Sequence, residues 1–344
     1  MSAGEKPTTG APNSTTGQAE TAVVPENKEV ASEPGPAAAV AVAATAQPSA
    51  NGDTTPAAKP DETAAATETE SKPPAAPIQQ LWLLAKAHEY PEIWGVQLAD
   101  PETHVPSQVV FQKFLNAYDG DLAKAKETLT KTLDWRKETK PLDLLSKAHA
   151  KGKFDGLGYV TSYGSETGEP ESKEVFTWNI YGGVEDINNT FGDLPEFISW
   201  RVALMELALR ELSISTATKP ITAEYDPYKI YQVHDYKSIS FFRQSPKVKS
   251  ASTETIKVFA ANYPELLKEK FFVNVPAIMG FVYGFMKMFV AAKTIKKFHP
   301  MSNSKIMVNE FGDSKVQSLG EQLPPDYGGK GDELPKVGKQ PHLE

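Results

Sequence analysis

Cysteine is absent from the 344 residues, which excludes disulfides and thiolate metal sites and agrees with a reducing, cytosolic compartment. Arginine is scarce: only Arg136, Arg201, Arg210 and Arg243 occur. The first 81 residues contain no Phe, Trp or Tyr and are dominated by Ala, Pro, Thr, Ser and Glu. Such a stretch buries too little apolar area to offset chain entropy, so residues 1–77 read as a disordered arm. Positive charge is also in deficit. The net charge is -8, and residues 1–76 hold ten acids against four lysines, which leaves the remainder nearly neutral. Nothing here resembles the basic patch of a nucleic-acid binder, and no nucleic-acid partner is predicted. The N-terminus has no basic region followed by an apolar core, so no secretory signal is expected. Phosphate-binding loops, zinc spacings and nucleophile elbows are missing too, and the chain does not read as an enzyme.

What is present begins after the arm, where all five Trp lie. Residues 81–88 form an apolar helical pattern. Residues 106–138 read as two helices about the turn Tyr118-Asp119-Gly120-Asp121, with Leu122, Ala125, Leu129, Leu133 and Trp135 near helical spacing. Residues 78–140 are thus a small helical bundle. Beyond Pro141, strand-like segments at 175–181, 230–234, 271–275 and 305–309 alternate with helical patterns. Asp193-Leu194-Pro195-Glu196 carries the cap and acidic third residue of a helix start. Alternation of this kind predicts an α/β domain over 141–330, a mostly parallel sheet covered by helices, with a flexible tail at 331–344. In a strand through 230–236, Gln232, His234 and Tyr236 share one face while Tyr231, Val233 and Asp235 share the other.

The apolar stretch from 275 to 286 is 12 residues long and is broken by Pro276, Gly280 and Gly284, whereas a membrane span needs about 20. It reads either as a core helix or as a lid over a pocket. Phe281, Phe285 and Phe289, followed by Lys293, Lys296 and Lys297, suit a lid that touches an anionic membrane surface when it opens.

Several motifs together resemble the CRAL-TRIO (Sec-fourteen-like) lipid-transfer superfamily over residues 78–330. They are Phe111-Gln112-Lys113-Phe114-Leu115, Leu133-Asp134-Trp135-Arg136, Tyr263-Pro264-Glu265, the strand to Val275-Pro276, the apolar gate, and Leu323-Pro324-Pro325-Asp326-Tyr327-Gly328-Gly329. The resemblance implies a sheet that floors a hydrophobic cavity closed by a helical gate. It also implies a phosphatidylinositol headgroup site made by Glu265 and by a lysine opening the last strand, read as Lys305. The basic pair that the family places in the first turn is Tyr118-Asp119 here, which removes one phosphate contact and points to weak phosphatidylinositol binding.

Within the superfamily the chain is most similar to the fungal atypical phosphatidylinositol transfer proteins. The pattern of Tyr181, Arg201, the His234-Asp235-Tyr236 triplet and Lys270 resembles the haem b site of that branch. The resemblance implies Tyr236 as the iron ligand, with Tyr181, Arg201, His234 and Lys270 around it. A phenolate suits ferric iron, but a free tyrosine holds its proton to about pH 10, so nearby cations would help. Read from the residues alone, the same tyrosines and histidine fit hydrogen-bonded core positions, Arg201 fits a pair with a carboxylate, and Lys270 fits a solvated helix end. The resemblance further implies a cytoplasmic carrier, peripherally associated with endoplasmic reticulum, microsomal and plasma membranes, with links to phosphoinositide homeostasis and oxidant stress. A phospholipid carrier without haem is the alternative.

Overall fold

The computed structural model describes residues 75–164, 169–237, 245–275 and 296–344. The chain enters through α1 (Pro77–Lys86), a two-stranded ribbon of β1 (Glu92–Ile93) and β2 (Val96–Gln97), α2 (Val105–Ala117) and α3 (Leu122–Thr139). Asp121 accepts from the Lys124 amide and starts α3, and Lys140 in the left-handed conformation ends it. The short α4 (Lys151–Phe154) leads into β3 (Gly158–Gly164) and β4 (Lys173–Ile180). Next come α5 (Ile187–Phe191), α6 (Leu194–Leu212), β5 (Ile230–Asp235), α7 (Pro246–Asn262), β6 (Leu267–Val273) and β7 (Phe298–Pro300).

The main sheet has the order β3-β4-β5-β6-β7. Only β3 runs antiparallel to its neighbour, so the predicted α/β sheet of mostly parallel strands is present. The helix start at Asp193 is also as read: its carboxylate accepts from the Glu196 amide at 2.9 Å. Alternation along β5 divides the sheet into two faces. Tyr231 and Val233 pack with Phe176, Trp178, Phe271 and the C-terminal segment, while Tyr236 packs with Phe272, Trp200 and Phe197 of α6.

Besides the β1–β2 ribbon, two strands of the main sheet were not foreseen, and one predicted strand is absent. Gly158–Gly164, rich in β-formers and flanked by glycine, carries the signal of β3. β7 has three residues and is too short for a periodic pattern. Residues 305–309 belong instead to a 3-10 helix, Ser304–Phe311, in which the Asn303 side chain accepts from the Lys305 amide. Met307 and Phe311 turn into the core while Ile306 stays exposed, a helical rather than alternating pattern.

The helical segment is not a separate body. Its Leu81, Phe111, Phe114, Leu129 and Leu133 share one apolar cluster with Val202, Leu207, Ile230 and Phe259, so no break in the core occurs at residue 140. The arm falls almost wholly outside the described residues, as do the gate residues Phe281, Phe285 and Phe289.

Candidate functional site

The face of the sheet beneath α6 gathers all five residues of the expected haem pattern. The Tyr181 hydroxyl and His234 Nδ1 lie 3.1 Å apart. The Tyr181 ring sits 5.6 Å from His234 and 5.4 Å from Tyr236, and Phe272 floors the group at 5.7 Å from His234. Parallel register places Lys270 beside Gln232 and Phe272 beside His234. Arg201 enters from α6, donates to the Asn179 side chain and lies over the Trp200 and Phe259 rings. Among the described residues no carboxylate pairs with Arg201, so the arginine is not the ordinary ion pair that its sequence also allowed. Lys270 is buried within the sheet rather than solvated at a helix end.

Burial sets the protonation of this group. It pushes His234 well below the usual imidazole range, helped by Lys270 and then Arg201. Burial, and then Arg201, lowers Lys270 to about 7. Tyr236 is raised well above the ordinary phenol value by burial and by Tyr181. The positive charge of Arg201 acts instead on Tyr181. The supporting hydrogen bond of His234 likewise goes to Tyr181, and its Nε2 is buried with no hydrogen-bond partner among the described residues.

A second site lies along the same face, at the opposite end of β5. Tyr263, Glu265, Gln232, Met205 and Lys297 line a cleft where α7 gives way to β6. Glu265 has a positive φ of 55°, and its carboxylate makes no hydrogen bond among the described residues. Lys297 donates to the Leu267 carbonyl at 3.0 Å; burial lowers its pKa and Glu265 opposes that shift.

The pairing of Glu265 with Lys305 is not what the fold provides. Lys305 is exposed and follows Ser304, whose amide donates to Asn274 just past the end of β6, whereas Glu265 precedes the start of that strand. A seven-residue strand separates them, about 20 Å at the usual rise. The last strand is β7, and the lysine that opens it is Lys297. The sequence reading put Lys297 among the lysines of a membrane-touching lid, because β7 is too short for its strand to be seen; the fold instead bonds it to the Leu267 carbonyl. Lys113 escaped the reading as a site residue: α2 carries the lysine on its apolar face, three and four residues from Val110 and Val109, and it is fully buried.

A CRAL/TRIO domain profile matches residues 180–329. The phosphatidylinositol transfer protein SFH5 of Chaetomium globosum is 72% identical over 269 residues, covering 78% of this chain and 62% of its own length. The corresponding sfh-5 protein of Neurospora crassa is 61% identical over 269 residues, covering 77% and 74% respectively. The crystal structure of Sfh5 superposes with a TM-score of 0.61 at 27% identity, covering 78% of this chain and 93% of that one. The chain thus spans 62% of the length of the Chaetomium relative.

Proposed function

The chain belongs to the CRAL/TRIO family, in its fungal SFH5 branch, and from that premise we propose that it is a phosphatidylinositol carrier that also holds haem b. The observation that carries the lipid reading is the cleft in which Glu265 and Lys297 stand together. A lysine offers a point charge to a phosphate, and a carboxylate accepts from inositol hydroxyls. The relatives' names supply the substrate class. The reading is of a carrier and not a catalyst, working from the cytoplasm at membrane surfaces. Among the described residues no helix is long and apolar enough to cross a membrane.

The buried group around Tyr236 fits a haem in its donor set. Arg201 stands buried in an apolar site with no carboxylate beside it among the described residues, and a buried positive charge calls for an anionic partner such as a propionate. Tyr236 is the proposed iron ligand through its phenolic oxygen, and His234 lies on the same face in a supporting role. Tyr181 fixes the His234 ring through Nδ1. Because burial keeps the Tyr236 phenol protonated, coordination must displace that proton. When bound, haem would supply an iron centre for redox or ligand sensing.

One experiment with two arms tests the proposal. Vesicle-to-vesicle transfer of phosphatidylinositol is expected to fall about tenfold or more in Lys297→Ala, about 1.4 kcal/mol of lost headgroup binding. Protein from cells supplied with haem precursor is expected to show a Soret band that Tyr236→Phe removes or displaces. No band in the wild type would leave the lipid carrier alone standing, and unchanged transfer in Lys297→Ala would remove the headgroup assignment.

A further inference from the structure

The turn that carries Glu265 is held in large part from the N-terminal helical segment. The last carbonyls of a helix lack intrahelical partners and must find others. At the end of α7 those partners arrive from far away in sequence: Thr132 of α3 donates to the Ala261 carbonyl at 3.2 Å, and Trp94 Nε1 donates to that of Asn262 at 3.0 Å. The next residue, Tyr263, donates its hydroxyl to Glu206 at 2.7 Å, and Arg136 of α3 grips the same carboxylate at 2.7 Å. Lys113 of α2 then donates to the Glu265 carbonyl at 3.0 Å and to both oxygens of Asp226 at 2.9 Å.

Lys113 is the informative member of this set. It is fully buried, and its three donors are all used. Burying an ammonium is costly unless it is paired and hydrogen-bonded, so its place against one backbone carbonyl of a strained turn calls for a reason. Glu265 is a non-glycine residue in the left-handed region, a conformation that costs energy and persists only where surrounding contacts over-determine it. On the far side of the turn, Lys297 holds the Leu267 carbonyl. The backbone on either side of Leu266 is therefore gripped by two lysines, one from the helical segment and one from the cleft.

We propose that the N-terminal helical segment is the mould that sets headgroup selectivity, with Lys113 as the positioning residue that holds Glu265 toward the cleft. This rests on the reading of the cleft as the phosphatidylinositol headgroup site. Lys113 touches no ligand in this arrangement; it acts through the Glu265 backbone.

Two variants test the assignment. Lys113→Met leaves the Asp226 carboxylate with the Tyr228 amide and, as its remaining cation among the described residues, Lys229 at 3.3 Å, and risks misfolding. The double variant Lys113→Met/Asp226→Leu removes both charges, which buried pairs commonly tolerate, and still deletes the bond to Glu265. For the full-length double variant, amide hydrogen exchange over residues 263–268 should rise about tenfold or more while that of β4 is unchanged. After equilibration with mixed vesicles, the ratio of bound phosphatidylinositol to bound phosphatidylcholine should fall about tenfold at an unchanged melting temperature. A merely structural role would lower uptake of both lipids together. Unchanged exchange, or an unchanged lipid ratio despite faster exchange, overturns the proposal. A wild-type protein that takes up no phosphatidylinositol overturns the cleft assignment and the selectivity role with it, while faster exchange would still identify Lys113 as the clamp.

Discussion

Single side chains in this protein are set less by their own chemistry than by where the fold buries them. Lys270 shows this most directly. An ordinary lysine titrates near pH ~10.4, and burial together with Arg201 brings this one down to about 7. Between those two values the unfolded chain holds a proton that the folded chain does not, so stability rises with pH. Chemical denaturation of the ligand-free protein from pH 7 to 10 should show that rise, and Lys270→Met should reduce it, most of all between pH 7 and 8, below the range where Lys113, lowered to about 8, adds its own rise. An equal rise in the variant would mean that Lys270 is not the group responsible. An anion seated beside Lys270 reverses the effect, raising its pKa. Haem uptake at pH 8 should therefore protonate Lys270 while coordination takes the Tyr236 proton away, so Lys270→Met should release about one proton more per haem than the wild type, read from how the binding heat varies with the ionisation enthalpy of the buffer.

Elements are punctuated by local chemistry that sequence displays well. The Asp193 cap on α6 is an example: its carboxylate accepts from the Glu196 amide, and the helix it starts carries Trp200, Arg201, Met205 and Glu206 into both sites and their support. Replacing an N-cap aspartate by alanine typically costs ~1 kcal/mol. Asp193→Ala should lower the melting temperature by about 2–4 °C and leave lipid selectivity intact, since the helix itself remains pinned by its apolar face. Loss of selectivity without loss of stability would show that the start of α6, and not only its packing, tunes the site. The 3-10 helix at Ser304–Phe311 marks where local reading fails. Its β-branched and apolar residues suit a strand, but the Asn303 cap and the pull of Met307 and Phe311 into the core produce a tight helix.

Across the whole molecule, the helical segment and the sheet are joined by charge as well as by a shared apolar core. Arg136 is fully buried between Glu92 of the β-ribbon and Glu206 of α6, with contacts of 2.8 and 2.7 Å. Burial works against its charge, yet Glu206 and Glu92 outweigh that penalty and raise its pKa. Glu92, largely buried, is pushed upward by burial against the pull of Arg136. Removing one member of such a group strands the others. Arg136→Met should cost about 3–5 kcal/mol, read as a large fall in the denaturation midpoint. The shared core further implies that residues 141–344 alone would expose the surface under α1, α2 and α3 and would not fold as a soluble unit. A fragment that melts cooperatively would refute that.

Much of this architecture was legible beforehand because it depends on near neighbours: the helical pair about Gly120, the α6 start, three strands and the two faces of β5; the set Tyr181, Arg201, His234, Tyr236 and Lys270 came instead from the family resemblance, since its members lie far apart in the sequence. Alternation and helical spacing are local, and a strand that orders Gln232, His234 and Tyr236 on one face does so wherever it lies in the sheet. What the tertiary structure alone decided was partnership. Lys297 and not Lys305 meets Glu265, because the lysine's place depends on a three-residue strand with no period to read. Lys113 reaches Glu265 across 152 positions, and Arg201 finds Asn179 where a carboxylate was an open alternative. Such pairings depend on which elements pack together, and composition, charge and periodicity carry no term for that.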